Sequence, residues 1–125
     1  MQINLLAAWV GILLGFLSGL ALGLNFHREN WLGGYGSFTR RLYRLAHISL
    51  FGLGAVNLFF YFTARALPAG TMLSLASSAF IAGAVTMPVC CLIMAHFPNT
   101  RSLFALPVVS LVSGGILTLV EVIKL

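Results

Sequence analysis

The sequence predicts an all-α, polytopic membrane protein, built as an antiparallel bundle of four transmembrane helices. Hydrophobic residues make up 60% of the 125 positions and charged residues only 7%, a composition that ordinary water-soluble domains do not have. The apolar residues fall into four runs, at residues 4–24, 45–64, 71–97 and 103–123. Each run is long enough, at about 1.5 Å per residue, to cross a hydrocarbon core about 30 Å thick. Because the connections are short, residues 1–125 are predicted to form a single membrane domain.

The first run carries a glycine at every fourth position, namely Gly11, Gly15, Gly19 and Gly23. Residues four apart share one helix face, and each glycine in a helix interior costs about 1 kcal/mol relative to alanine. Small residues let two membrane helices approach closely, so this face is predicted to be a packing surface. It serves either as a seam within the chain or as a contact with a second copy or a larger complex. No basic segment precedes the run, which is longer than a signal-peptide core, so we expect a retained helix.

The second run follows a glycine-rich turn and contains one strongly polar residue. Ser37 or Thr39 is suited to cap the start of this helix, since a side-chain oxygen there accepts from an unpaired backbone N–H. Asn57 lies near the centre of the run, where its amide needs a partner in hydrocarbon. Thr86 and Ser113, which lie at matching depth on the third and fourth runs, are its predicted partners.

Two prolines lie inside the last two runs. Pro88 removes the hydrogen bond to the carbonyl of Ala84 and is therefore predicted to kink the third helix. Pro107 lies in the first turns of the fourth helix, where a missing donor matters less.

The basic residues predict the orientation of the chain in the membrane. Five arginines flank the first and third connections, at Arg28, Arg40, Arg41, Arg44 and Arg101. Only Arg65 and Lys124 lie on the opposite side, so the positive-inside rule places both termini on the non-cytoplasmic side. We expect the five arginines to contact anionic lipid headgroups or an acidic partner surface, and we do not expect nucleic acid as a partner.

The near absence of acidic residues bears on function. Glu29 lies in a connection and Glu121 near the end of the fourth run, so no carboxylate lies deep in a predicted span. Proton and cation carriers usually place an ionisable group within the membrane, which disfavours that class here. The sequence therefore favours a non-enzymatic structural or assembly component of a membrane complex, with a homo-oligomer as one form of such a complex.

The competing class is a small redox or metal-binding membrane protein. His47 is predicted in the first turns of the second helix and His96 in the last turn of the third, both at the inner leaflet. Histidines on neighbouring helices at one depth suit the axial ligation of haem b. A second candidate site for Cu(I) combines thiol and thioether groups on the third helix, at Met87, Cys90, Cys91 and Met94. These residue types also fill ordinary cores, and the adjacent cysteines point about 100 degrees apart, which disfavours a disulfide between them.

Overall fold

The structure is a computed structural model that describes all 125 residues, and it is entirely helical. Its four long helices are α1 (Gln2–Asn25), α2 (Phe38–Ala66), α3 (Thr71–His96) and α4 (Ala105–Ile123). Each is long and apolar enough to cross a membrane, the fourth together with the short helical segment Pro98–Phe104 that precedes it. The all-helical class and the four candidate membrane-spanning helices are thereby confirmed.

The start of α2 lies well before the apolar run that predicted it. The helix begins at Phe38 rather than at residue 45, because its first two turns contain three arginines that interrupt the apolar run without interrupting the helix. Ser37 caps this end, since its side-chain oxygen accepts a hydrogen bond from the backbone N–H of Arg40 at 3.1 Å. Thr39, the other predicted cap, instead donates to the carbonyl of Ala95 at 3.1 Å and so joins the start of α2 to the end of α3.

Helices adjacent in sequence pack against each other, and α2 and α3 form the centre of the bundle. Helix α1 packs on α2, α4 packs on α3, and α1 meets α3 over only a small area. The main apolar core lies between α2 and α3 and consists of Phe60, Ala64, Leu67, Leu73, Ala76 and Phe80. A smaller core at the other end of the pair contains Leu42, Met94 and Ala95.

The backbones of α1 and α2 approach closely at Gly11 and Gly54. A Cβ atom on Gly11 would lie 3.0 Å from the carbonyl oxygen of Leu50 and 3.3 Å from the Cα of Gly54. A Cβ on Gly54 would likewise lie 3.0 Å from the carbonyl oxygen of Ala8. Neither contact can be relieved by a side-chain rotation, so a Cβ at either position would require the facing backbone to move by a few tenths of an ångström.

Two further glycines of the first run also face α2. A Cβ on Gly15 would lie 2.8 Å from the ring of Phe51, and one on Gly19 would lie 2.9 Å from Cε1 of His47. Nothing lies within 4 Å of the corresponding position on Gly23. Three of the four glycines therefore pack within the chain.

Candidate functional site

Three polar side chains meet in the interior where α1, α2 and α3 come together. The Nδ2 of Asn4 donates to the Oδ1 of Asn57 at 2.9 Å and lies 3.4 Å from the carbonyl oxygen of Ser77. The hydroxyl of Ser77 donates in turn to the Oδ1 of Asn4. Asn57 also donates to the carbonyls of Leu53 and Phe80, at 3.0 and 3.4 Å. Both asparagines are fully buried, and no buried polar side-chain atom of the chain lacks a partner.

This network corrects the predicted partners of Asn57. Thr86 donates to the carbonyl of Ala82 in its own helix at 2.7 Å, and Ser113 is exposed on α4. The partner of Asn57 is instead Asn4. Asn4 was not among the predicted partners, because it lies at the edge of the first apolar run. The asparagine itself could have predicted this contact, because an amide just inside a membrane span needs a partner on another helix.

Arg40 is the most deeply buried charged residue, with only 2% of its surface exposed. Its guanidinium donates to the carbonyls of Phe26 and Arg28, each at 3.0 Å. It also stands 4.0 Å from the ring centre of Tyr35 and 5.4 Å from that of Trp31. Carbonyl oxygens and aromatic faces thus enclose the Arg40 cation inside the loop, and its contact with lipid headgroups or an acidic partner stays a prediction.

The loop between α1 and α2, which surrounds Arg40, turns back through left-handed backbone positions. Leu32, Gly33 and Gly34 have φ values of 54, 86 and 103 degrees, a turn in which two of the three left-handed positions are glycine. Tyr35 closes the loop by donating its hydroxyl to the carbonyl of Phe26 at 3.0 Å.

The other four arginines of the predicted basic side, Arg28, Arg41, Arg44 and Arg101, are exposed. None has a carboxylate within 4.0 Å, since the chain contains a single ion pair, between Lys124 and Glu121. Arg44 donates to the carbonyl of Tyr35 at 3.2 Å, which holds its side chain beside the loop. Their contact with lipid or with an acidic partner stays a prediction.

Each of the two candidate haem ligands has a partner on another helix. The Nδ1 of His47 shares a hydrogen bond of 2.8 Å with the hydroxyl of Ser18 on α1. The Nε2 of His96 shares one of 2.9 Å with the hydroxyl of Tyr43 on α2. Iron ligation through the Nε2 of His96 would break the bond to Tyr43, whereas the Nε2 of His47 is not used in its bond to Ser18. Haem ligation by this pair stays a prediction.

The candidate copper ligands on α3 lie in different surroundings. Cys90 and Cys91 are free and buried, and the thiol of Cys90 lies 3.5 Å from the carbonyl of Leu103. Met94 belongs to the small apolar core beside Leu42, while Met87 is half-buried. No three His, Cys, Asp or Glu side chains cluster so that they could hold a metal ion. Copper binding through the cysteines and methionines stays a prediction.

The most extended concave feature is a groove between α1 and α3 with α2 as its floor. It consists of two cavities, of about 290 and 250 Å³, which share Leu50 and Pro88 as lining residues. We refer to it as the α1/α3 groove; its α1 wall is formed by Ala7, Val10, Gly11, Leu14, Ser18, Ala21, Leu22 and Asn25.

A second concave feature lies between α2 and α4. This α2/α4 cleft has a volume of about 350 Å³ and is lined by Val56, Phe59, Phe60, Thr63, Phe80, Gly115, Thr118, Leu119 and Val122. Nothing lies within 4 Å of the position that a Cβ on Gly115 would occupy. The space in the cleft beside Gly115 is therefore not filled by any other part of the chain.

A scan against models of protein families found no match to this chain, and searches of curated proteins and of solved structures found none either.

Proposed function

We propose that this chain is a non-enzymatic integral membrane protein that acts as a structural or assembly component of a membrane complex. Its four helices cross the bilayer in alternating directions, because the connections between them are too short to recross the membrane. Five arginines beside the first and third connections, against two basic residues on the other side, support an orientation with both termini on the non-cytoplasmic side. Reporter fusions test this orientation: a periplasmic reporter at the C-terminus should be active, and activity of a cytoplasmic reporter there would contradict it.

The proposed role is supported mainly by the hydrogen bonds that polar side chains form between helices. Several of these side chains form hydrogen bonds between two helices. They are Asn4 with Asn57, Ser18 with His47, Thr39 with the carbonyl of Ala95, and Tyr43 with His96. Each such bond between membrane helices contributes about 0.6 to 2 kcal/mol. The groups that a chemical site would use thus hold the helices in register, which supports a packing role.

The α2/α4 cleft is the surface that we assign to a partner. Its walls are mostly apolar, and Gly115 of α4, which lines it, has nothing within 4 Å of a Cβ position. In lipid, where there is little hydrophobic force between helices, close backbone approach at small residues is the main source of association. The occupant is therefore an apolar transmembrane helix of another subunit.

Mass measurement in lipid nanodiscs tests this assignment. The full chain should run as an assembly of fixed stoichiometry, heavier than the 13.4 kDa monomer. Gly115→Leu should release the monomer while leaving helicity and the unfolding midpoint unchanged. Ser113→Leu, at an exposed position of the same helix outside the cleft, is the matched control and should remain assembled. A wild-type monomer, or the same mass for both variants, would contradict the proposal.

A further inference from the structure

His47 has one ring nitrogen that no other group of the chain uses. Its Nδ1 lies 2.8 Å from the hydroxyl oxygen of Ser18, and the same hydroxyl donates to the carbonyl of Gly15 at 3.0 Å. A hydroxyl has a single proton, so when that proton goes to the carbonyl the oxygen accepts from Nδ1–H. A neutral imidazole has one protonated and one unprotonated nitrogen. The Nε2 of His47 is therefore a hydrogen-bond acceptor.

This acceptor is accessible from a cavity. The Nε2 takes part in none of the hydrogen bonds of the chain, whereas every buried side-chain nitrogen or oxygen has a partner, so the Nε2 retains accessible surface. Of the cavities in the structure, His47 lines the one of about 290 Å³. We refer to it as the His47 cavity; its lining includes Ser18, Leu22, Trp31, Tyr43, Leu50 and Leu92.

Three other polar side chains on the wall of the His47 cavity are held by contacts of their own. The amide of Asn25 donates to the carbonyl of Ala21 at 2.9 Å, and the hydroxyl of Tyr43 shares its bond with His96. The ring of Trp31 lies edge-on to Tyr43, with the ring centres 6.4 Å apart. His47 lies at least one turn further into the span than these three, so its Nε2 is the acceptor that an apolar ligand meets within the membrane.

The size and lining of the His47 cavity favour an aromatic ring as its occupant. An apolar cavity of about 150 Å³ is enough to hold benzene, so this larger cavity holds a ring with several small substituents. The rings of Trp31, Tyr43 and His47 favour a further ring through edge-to-face and offset contacts. An ordered water molecule needs several polar partners, which a mostly apolar wall does not offer.

The free acceptor adds a hydroxyl group to this description of the ligand. An unprotonated Nε2 gains a hydrogen bond only from a donor, and an aromatic O–H is a donor on an otherwise apolar molecule. The lining also includes Ala21 on α1 and Leu92 on α3, both of which are exposed. A compound dissolved in the bilayer can therefore reach the cavity between these two helices.

We propose that the His47 cavity binds a lipid-soluble aromatic hydroxyl compound, a quinol or a phenol, whose O–H donates to the Nε2 of His47. Ser18 is a positioning residue, because it accepts from Nδ1–H and so keeps the Nε2 unprotonated. The inference concerns binding and involves no electron transfer. It does not depend on the α2/α4 cleft, on assembly with another subunit or on the orientation of the chain.

Three probes that share one ring test the hydrogen bond to the Nε2. Duroquinol carries two hydroxyls, whereas its dimethyl ether and duroquinone carry none. Each is titrated without oxygen into the purified full chain in nanodiscs, with Trp9→Phe so that the fluorescence comes from Trp31 alone and with empty nanodiscs as the blank. We expect one duroquinol per chain, and about tenfold weaker binding of the ether and of duroquinone, as the loss of one hydrogen bond predicts.

The position of the ligand is tested by filling the cavity. Ala21→Phe places a ring in the lining of the His47 cavity without removing His47 or Ser18, and it should weaken the binding of duroquinol at least about tenfold. Ala82→Phe, at an exposed position of α3 that lines no cavity, is the matched control and should bind duroquinol as the wild type does.

The positioning role of Ser18 has a readout that simple loss of packing would not move. Ser18→Ala removes the acceptor for Nδ1–H, so the proton of the imidazole is free to occupy Nε2, from which it can be donated to a carbonyl. The preference for duroquinol over duroquinone should then fall about tenfold. Ser110→Ala removes a hydroxyl that bonds within α4 and should keep the wild-type preference.

Several results would overturn the inference. These are equal binding of duroquinol and its dimethyl ether, equal binding by the Ala21 and Ala82 variants, an unchanged preference in Ser18→Ala, or a haem absorbance band that is lost in His47→Ala. The three probes are compared on a chain with its native cavity, so misfolding of one variant does not decide the outcome. A monomer that binds duroquinol would uphold this site and contradict the assembly role, while an assembled chain that binds none of the probes would do the reverse.

Discussion

Asn4 and Asn57 share a hydrogen bond of 2.9 Å although 53 positions separate them in the chain, and both are fully buried. In hydrocarbon there is no water to replace a lost partner, so this bond favours one register of α1 on α2. Ser77 extends the same contact to α3. The pair thereby holds three helices together at one end of the bundle and closes the α1/α3 groove.

Replacing Asn57 with leucine should destabilise the folded chain by about 1 to 3 kcal/mol, because the Nδ2 of Asn4 loses its closest acceptor. Reversible unfolding in detergent measures the change. Asn4→Leu combined with Asn57→Leu should cost less than the sum of the two single variants, since the bond is lost only once. Thr86→Val is the control and should change stability by under about 0.5 kcal/mol, because the hydroxyl of Thr86 bonds within its own helix. Equal effects of Asn57→Leu and Thr86→Val would show that the buried amide pair is not a stabilising contact.

Substitutions along the glycine face of α1 should separate into two groups. Gly11→Leu should strongly destabilise the fold, because its Cβ would meet the backbone of α2 at 3.0 Å. Gly23→Ala should be neutral or stabilising by up to about 1 kcal/mol, since nothing lies near it and alanine is the better helix former. Thermal unfolding of both variants in the same detergent measures the difference. If Gly11→Leu left the midpoint unchanged, the close crossing of α1 and α2 would be wrong.

Arg40 should matter to the order of the loop between α1 and α2, whereas its neighbour Arg41 should not. Arg40→Gln removes the guanidinium that bonds to two carbonyls and lies against the ring of Tyr35, a loss of about 2 kcal/mol. Hydrogen exchange of residues 26–37 should accelerate in this variant and remain at the wild-type rate in Arg41→Gln. Arg40→Lys should behave like Arg40→Gln, because an ammonium group cannot reproduce the planar fork. Wild-type exchange in both Arg40 variants would contradict the buried role.

The redox alternative makes its own prediction, which an absorbance spectrum decides. Under the assembly account, the chain expressed with added haem should show no Soret band, and its copper content should be the same after Cys90→Ser with Cys91→Ser. A Soret band that disappears in both His47→Ala and His96→Ala would instead establish the haem class. The two histidine variants are needed together, because loss of one hydrogen-bonded side chain also perturbs packing.

The four candidate spans were predictable because hydropathy depends only on composition along the chain. The hydrogen-bond partner of Asn57 could not be predicted in this way, because matching depth says nothing about which face of a helix a residue occupies. Thr86 lies at a suitable depth but turns its hydroxyl to its own helix, whereas Asn4 lies on the face that meets α2.

The burial of Arg40 escaped prediction for a related physical reason. Its position next to other arginines is typical of an exposed basic segment. The cage around it forms only because the loop turns back through left-handed positions at Leu32, Gly33 and Gly34, which brings Trp31 and Tyr35 to the guanidinium. The glycines predict a turn here, but neither the left-handed conformation of Leu32 nor the direction of those rings follows from the local sequence pattern.

Photo-cross-linking in native membranes tests most directly the claim that this chain is an assembly component. A photoreactive amino acid at Thr118 in the α2/α4 cleft is compared with one at Val109, an exposed position of α4 outside the cleft. The account predicts a single protein adduct of constant mass from Thr118, its loss in Gly115→Leu, and no such adduct from Val109. Adducts with lipid alone from both positions, or an adduct from Thr118 that persists unchanged in Gly115→Leu, would contradict it.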